Sequence, residues 1–199
     1  MAMPDAGPHD LEAALATADL IHDRKTLEHA IATMAVKIRN DYAVGVTAMR
    51  DSASARPVFL TVMHGGLPFA AQLSLEIGAR GLDLEFDYLH ATRDRGATTG
   101  GELVWKHRPV TPLRGRRVLL VDDILDEGHT MAAIGAWCRA QGAAYVRIAA
   151  LAVKVHDRCV PGLTADYAGV EVPDRYVFGY GMDYHEQGRN LPAIYALKQ

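Results

Sequence analysis

Cysteine is scarce in this sequence, and long apolar runs and a basic excess are absent. The 199 residues include only two cysteines, Cys138 and Cys159, in no metal-type pair, so we expect reduced thiols and a cytoplasmic location. No apolar run of about 18 residues could span a membrane, and the first ten residues, MAMPDAGPHD, do not resemble a signal peptide. The net charge of -3 disfavours a general nucleic-acid binder.

The motifs of several common enzyme classes are also missing. The chain has no G-x-G-x-x-G for a dinucleotide and no lysine where a phosphate-binding P-loop requires one. Its nine histidines lack the spacing with carboxylates that marks zinc enzymes. Dinucleotide oxidoreductases, P-loop hydrolases and zinc enzymes are therefore disfavoured.

Apolar runs and segments of helical periodicity alternate along the chain. Predicted strands cover 58–63, 84–89, 118–121 and 145–153, and predicted helices cover 23–42, 67–77 and 130–140, with Asp23 as an N-cap. This alternation predicts an α/β fold, with a parallel β-sheet core flanked by helices. Ligands bind such sheets beyond the carboxyl ends of the strands.

The length favours one domain over residues 1–199. We expect its core to cover about 45–157. Beyond about Asp157 the alternation stops, and Gly, Pro and aromatic residues dominate. We therefore expect a small hood built from both chain ends, about 13–44 and 158–199.

The strongest motif is VLLVDDILDEGHT, residues 118–130. An apolar strand leads to two adjacent carboxylates, and a glycine loop then enters a helix. Backbone N–H groups from Glu127 to Thr130 can hold a phosphate, and the carboxylates suit ribose hydroxyls or a metal ion. A solvated turn is the alternative, but three aspartates within five positions exceed what a turn needs. The motif predicts a phosphoribosyl site.

This segment resembles the phosphoribosyl-pyrophosphate motif of type I phosphoribosyltransferases. Motif order over roughly residues 55–190 narrows the resemblance to the hypoxanthine-guanine branch. The resemblance implies that Asp122 and Asp123 hold the ribose hydroxyls and that Asp126, facing N7 of the purine, is the general base. It assigns the 5′-phosphate to Gly128, His129 and Thr130. The family usually has Thr at Glu127, so we expect Glu127 to turn its side chain away and contribute its N–H.

A second motif, Met63-His64-Gly65-Gly66, follows the first predicted strand. Two glycines let a backbone approach a ligand closely, although a tight turn explains this segment alone equally well. In the resembling family this loop binds pyrophosphate and contains a cis peptide, which assigns His64 and Gly65 to phosphoribosyl pyrophosphate. Many members have Lys where His64 stands.

A third set lies towards the C-terminus, where the residues alone fit a core and a charged surface. The resemblance assigns Lys154 to O6 of the base, Tyr176 to stacking on it, and the backbone of Val177 to its edge. It assigns Asp183 to the base site and, with Asp122, to Mg²⁺. Arg189 is assigned to pyrophosphate.

The resemblance implies purine salvage: transfer of a phosphoribosyl group to N9 of hypoxanthine or guanine, with Mg²⁺. The length and glycine content of the loop at 90–101 suit a mobile lid, with a disordered surface loop as the alternative. The resemblance also implies a homodimer or homotetramer with no nucleic-acid or membrane partner. A non-catalytic RNA-binding regulator with the same fold is the alternative. The net charge of -3, together with Lys154, Tyr176 and Asp183, counts against that alternative.

Overall fold

The protein forms two β-sheets and four helices in the part of the chain that the structure, a computed structural model, describes: residues 10–43, 56–93 and 103–198. The elements are α1 (Leu11–Thr17), β1 (Asp19–His22), α2 (Arg24–Ala43), β2 (Val58–Val62), α3 (Leu67–Ala79), β3 (Glu85–Arg93), β4 (Leu103–His107), β5 (Arg117–Leu125), α4 (His129–Ala140), β6 (Tyr145–Lys154), β7 (Tyr167–Val172), β8 (Val177–Phe178) and β9 (Ile194–Ala196).

The larger sheet has six strands in the order β4-β3-β2-β5-β6-β7. Its strands pair in parallel except at one edge, where β4 is antiparallel to β3. Residues 94–102 join these two strands, and this connection is shorter than the dozen or so residues that a parallel crossover requires. The predicted parallel sheet therefore carries one antiparallel edge strand.

Side chains of β5 alternate between two apolar cores. Leu119 and Val121 face one core, which also contains buried residues of α2 and α3. Val118 and Leu120 face the other core, which contains residues of α4. Because the strand is buried on both faces, it appears in the sequence as a continuous apolar run. The predicted α/β core flanked by helices is confirmed.

The longest helix, α2, begins where its cap was predicted. The Asp23 side chain accepts a hydrogen bond of 2.8 Å from the N–H of Thr26, which stabilises the first turn. Leu27, Ile31 and Ile38 form part of its buried stripe. Among the described residues, no helix is both long enough and apolar enough to cross a membrane.

Three strands extend further than their apolar runs. β5 continues through Asp122 and Asp123, because its ladder with β6 persists as far as Leu125 opposite Val153. β6 accordingly reaches Lys154. β3 continues through residues 90–93 and pairs with β4, so the start of the predicted lid is a strand. Residues 94–101 of the predicted lid lie outside the described residues.

The hood is a three-stranded antiparallel sheet of order β1-β9-β8. It contains less of the chain than the sequence predicts. α2 packs in the core because its apolar stripe is buried against the larger sheet, and β7 pairs with β6. Of residues 10–43, only those of β1 join the hood sheet.

Candidate active site

A cavity of about 950 Å³ lies at the carboxyl edge of the larger sheet, below the hood. Its walls come from the β2–α3 turn, the segment from β5 to α4, the end of β6 and loops of the hood. Every residue that the sequence assigned to the site lines it: His64, Gly65, Asp122, Asp123, Asp126, Glu127, Gly128, His129, Thr130, Lys154, Tyr176, Val177, Asp183 and Arg189. The tertiary structure thus brings the predicted residues together, while their separate roles stay predictions.

Adjacent carboxylates line the floor of the cavity. Asp123 is 7% exposed, and Asp122 is partly exposed. Asp122 Oδ1 accepts from the N–H of Asp123 at 2.9 Å, and Asp123 Oδ1 accepts from the N–H of Ile124 at 2.8 Å. Burial raises the pKa of both groups, and the negative charge of Asp123 raises the pKa of Asp122 further. Hydroxyl donors or a cation would stabilise this pair in its ionised form.

Glycines allow two loops to approach Asp123. A Cβ atom at Gly65 would collide with the Asp123 carboxylate, and one at Gly181 would collide with the carbonyl oxygen of Gly65. The φ of Gly181 is +108°, which disfavours other residues. The Met63–His64 peptide bond is cis. Gly65 and Gly181 therefore both have a defined role in packing beside Asp123, and sequence reasoning missed the role of Gly181.

The loop after β5 forms a cradle at the start of α4. Gly128, with φ +78°, caps the helix, and a Cβ atom there would collide with Leu163. The first N–H groups of a helix have no acceptor within it and favour an anion. The Glu127 carboxylate lies 3.7 Å from both Arg158 Nε and His129 Nε2, so basic groups offset its charge beside this cradle.

Asp126 accepts hydrogen bonds from two basic side chains. Lys154 Nζ lies 2.6 Å from Oδ2, and His156 Nε2 lies 2.7 Å from Oδ1. Burial alone would raise the pKa of Asp126, but the hydrogen bonds from Lys154 and His156 outweigh it and lower the pKa. Sequence reasoning missed His156. The available signal was its place two residues after Lys154, because alternate residues of extended chain share a face.

Polar groups of the hood form the opposite wall. Arg189 Nη2 lies 2.8 Å from Asp183 Oδ1, and Arg189 Nη1 donates to the carbonyl oxygen of Gly181 at 2.7 Å. Tyr176 Oη donates to the backbone oxygen of Asp183 at 3.0 Å, while the residue stays 45% exposed. Val177 is buried in β8. A half-exposed aromatic ring, which contacts Tyr184 and His185, therefore lines the cavity on the hood side.

Comparison with known proteins establishes the family. The phosphoribosyl transferase domain matches residues 17–186. This chain belongs to the phosphoribosyltransferase family. The hypoxanthine-guanine phosphoribosyltransferase of Streptococcus pneumoniae strain R6 is 34% identical over 157 residues, covering 78% of this chain and 85% of the relative. That of Streptococcus thermophilus strain CNRZ 1066 is 32% identical, with the same coverage. The resemblance to the hypoxanthine-guanine branch is confirmed.

Solved structures of phosphoribosyltransferases share the fold. A hypoxanthine phosphoribosyltransferase from Staphylococcus aureus superimposes with a TM-score of 0.80 at 23% identity, covering 96% of this chain and 97% of that one. A hypoxanthine phosphoribosyltransferase from Trypanosoma cruzi superimposes with a TM-score of 0.82 at 24% identity, covering 92% of this chain and 97% of that one. The fold class predicted from the sequence is the fold of these proteins.

Further basic side chains line the cavity in this phosphoribosyltransferase. The rings of exposed His64 and of His90 lie 4.4 Å apart, and Lys106 of β4 lines the same wall. Burial lowers the pKa of His90, and the positive charges of His64, Lys106 and Arg189 lower it further. Sequence reasoning gave His90 no role beyond the start of the lid and gave Lys106 none, because His90 meets His64 through the pairing of β2 with β3 and Lys106 reaches the cavity through the antiparallel pairing of β3 with β4.

Proposed function

We propose that this protein is a purine salvage transferase, converting hypoxanthine or guanine and phosphoribosyl pyrophosphate to the nucleoside 5′-monophosphate and pyrophosphate. The observation that carries the proposal is the contact between Lys154 and Asp126, 2.6 Å apart, in a cavity that also holds a carboxylate pair and a helix N-terminus. The relatives named hypoxanthine-guanine phosphoribosyltransferase support it.

The contact between Lys154 and Asp126 is complementary to one edge of a 6-oxopurine. A base protonated at N7 presents a donor at N7 beside an acceptor at O6. The pair offers an acceptor, Asp126 Oδ2, beside a donor, Lys154 Nζ. Adenine carries an amino donor at position 6, which would face a second donor in Lys154. The pair therefore favours hypoxanthine and guanine over adenine.

The remaining assignments are those that the family resemblance implies, and the presence of these groups around one cavity supports them. We assign the purine ring to Tyr176 and Val177, and the ribose hydroxyls to Asp122 and Asp123. The 5′-phosphate is assigned to the cradle of Glu127, Gly128, His129 and Thr130, and pyrophosphate to His64, Gly65 and Arg189. An exposed ring suits stacking, and a helix N-terminus suits a dianion.

The residues of the cavity fit Mg²⁺ bound together with substrate. Among the described residues no group of three or more His, Cys, Asp or Glu could hold a metal ion by itself. Mg²⁺ commonly takes one or two carboxylates and completes its shell with water and substrate phosphates. Asp122 and Asp183 line the same cavity and would hold it. When bound, Mg²⁺ neutralises charge on the leaving pyrophosphate.

The chemistry requires one proton acceptor. N9 of the base forms a bond to C1′, the bond from C1′ to pyrophosphate breaks, and pyrophosphate leaves with the electron pair. Asp126 takes the N7 proton, which makes N9 more nucleophilic. The lowered pKa of Asp126 keeps it ionised and able to accept that proton.

We further propose a homodimer or homotetramer in the cytoplasm, which gel filtration and cell fractionation would test.

Pyrophosphate release with hypoxanthine, guanine, xanthine, adenine and uracil tests the proposal. We expect turnover of hypoxanthine and guanine and none of adenine. Lys154→Met should lower kcat/KM for hypoxanthine about 10- to 100-fold, the value of a charged hydrogen bond. Efficient adenine turnover by the wild type would contradict the assigned substrate class. Retained RNA binding without turnover of any base would instead favour the regulator.

A further inference from the structure

His156 is a buried polar side chain beside the cavity to which the proposed function gives no role. Its side chain is 3% exposed. Both ring nitrogens have partners: Nε2 lies 2.7 Å from Asp126 Oδ1, and Nδ1 lies 3.1 Å from the backbone nitrogen of Arg158. A polar ring that is buried and engaged at both ends has a fixed orientation.

The backbone contact decides which nitrogen of His156 carries the proton. The N–H of Arg158 donates to Nδ1, so Nδ1 acts as the acceptor and has no proton of its own. In a neutral imidazole the proton then lies on Nε2. The contact with Asp126 is therefore a hydrogen bond donated by His156 to Oδ1.

The two partners of Asp126 differ in what they can do during turnover. Lys154 holds Oδ2 and carries its charge on a flexible chain. In the proposed function Lys154 donates to O6 of the base while Oδ2 accepts the N7 proton, so a purine must separate Lys154 from Oδ2. His156 has no contact to exchange, and its hydrogen bond to Oδ1 can persist.

We propose that His156 is a positioning residue that holds the Asp126 carboxylate by Oδ1, so that Oδ2 stays directed at N7 after Lys154 has moved to the base. This inference rests on the proposed function and deepens it. Without a fixed donor, the carboxylate could rotate when Lys154 leaves. A small misplacement of a reacting group can cost about 100-fold in rate.

The same geometry excludes His156 as a proton relay. Nε2 already carries a proton, and Nδ1 is occupied by the N–H of Arg158. The proton that Asp126 takes from N7 is therefore not passed on through His156. His156 acts through Asp126 and does not exchange protons with the substrate.

Two substitutions separate the hydrogen bond from the packing of the ring. His156→Phe keeps a planar ring and removes both the donor to Asp126 and the acceptor of the Arg158 N–H, whereas His156→Gln places an amide N–H where Nε2 lies and also lacks Nδ1, so the difference between the two variants reports the donor. We expect His156→Phe to lower kcat about 10- to 100-fold. The KM for phosphoribosyl pyrophosphate should change less than about twofold, because the phosphate cradle is intact. His156→Gln should restore most of kcat.

The pH profile gives a readout that packing alone would not move. The groups that face Asp126 are the two donors, Lys154 and His156, and, further away, Arg158. A donor to a carboxylate stabilises its charged form and lowers its pKa. Its loss in His156→Phe should raise the pKa of Asp126, so the acidic limb of the kcat profile moves to higher pH. In His156→Gln the acidic limb should return to its wild-type position.

Carbon NMR titration of the Asp126 carboxyl tests the contact without catalysis. We expect its pKa to rise in His156→Phe and to return in His156→Gln. His107→Phe is the matched control, since His107 stacks on Tyr88 outside the cavity and Phe keeps that stack. Melting temperatures of all variants report folding.

Two outcomes would overturn the positioning role: a wild-type kcat and pH profile in His156→Phe, or equal losses in the Phe and Gln variants with an unchanged titration of Asp126. A wild type inactive with every base would contradict the proposed function. The NMR titration would still report on the contact, so the two failures are distinguishable.

Discussion

The two walls of the cavity are built differently. The wall of the larger sheet carries Asp122, Asp123 and Lys154 on β5 and β6, which pair in a continuous ladder to the edge of the site. The hood wall carries Tyr176 and Asp183, on loops around a strand of two residues. A ladder fixes the groups that react, while loops can supply groups that recognise and cover the substrate.

The two walls also differ in the electrostatic surroundings of their carboxylates. On the sheet wall burial raises the pKa of Asp122 and Asp123, whereas three residues later two donors lower the pKa of Asp126. In the hood, Arg189 pairs with Asp183 at 2.8 Å, and each side chain is about one-third exposed. Neighbouring carboxylates thus acquire different chemistry from their surroundings. Substitutions on the sheet wall should affect kcat most, and those in the hood should affect KM.

The largest effect should come from Asp126→Asn, which keeps shape but removes the proton acceptor. We expect kcat to fall about 10²- to 10⁴-fold while phosphoribosyl pyrophosphate still binds. Steady-state kinetics and equilibrium binding measure the two quantities. The control is Asp157→Asn, the same change at an exposed residue that does not line the cavity. A near-normal kcat in Asp126→Asn would mean that another carboxylate is the base.

A smaller effect is expected in the hood. Tyr176→Leu removes a stacking surface and should raise the KM for hypoxanthine about tenfold, with little change in kcat. Tyr176→Phe keeps the ring and removes only the 3.0 Å hydrogen bond to Asp183, so its KM should stay within about threefold of the wild type. Equal losses in both variants would show that the hydroxyl group, and not the ring, supplies the affinity.

A pH-dependent effect should separate His64 from the family's usual lysine. Imidazoles lose their charge as pH rises, and the lowered pKa of His90 moves its loss of charge to lower pH. The KM of the wild type for phosphoribosyl pyrophosphate should therefore rise severalfold between about pH 6 and about pH 8. His64→Lys keeps a charge across this range and should flatten the dependence. Identical profiles, at fixed free Mg²⁺, would mean that the His64 side chain does not meet the substrate.

The smallest effect should come from Glu127→Thr. Removing a carboxylate beside the phosphate cradle should lower the KM for phosphoribosyl pyrophosphate up to about threefold, because the Glu127 side chain is 51% exposed and its charge is screened. This decrease in KM should be smaller at high salt, where the charge of Glu127 is screened further. Glu171→Thr, on β7 outside the cavity, is the control. A higher KM in Glu127→Thr would indicate that Glu127 orders the cradle through Arg158.

Local patterns in the sequence were sufficient for the parts of the fold that depend on neighbours in the chain. The Asp23 cap, the apolar run of β5 and the glycine before α4 each predict a structure within a few residues. The apolar run of β5 and the glycine before α4 also predicted two of the elements that meet at the cavity. The ends of strands were less predictable, because β5 continues through charged residues whose place in the ladder is set by β6.

By itself the sequence determined the α/β alternation and the residues of the phosphoribosyl motif, because both are periodic or contiguous patterns. Only the tertiary structure decided which partners those residues have. His156 reaches Asp126 across a separation of 30 residues, and His64 meets His90 through the pairing of β2 with β3. Such contacts depend on strand register and on the turns that follow the strands. The apolar periodicity determines which face of a strand is buried. It does not determine which polar side chains face each other at the edge of the sheet.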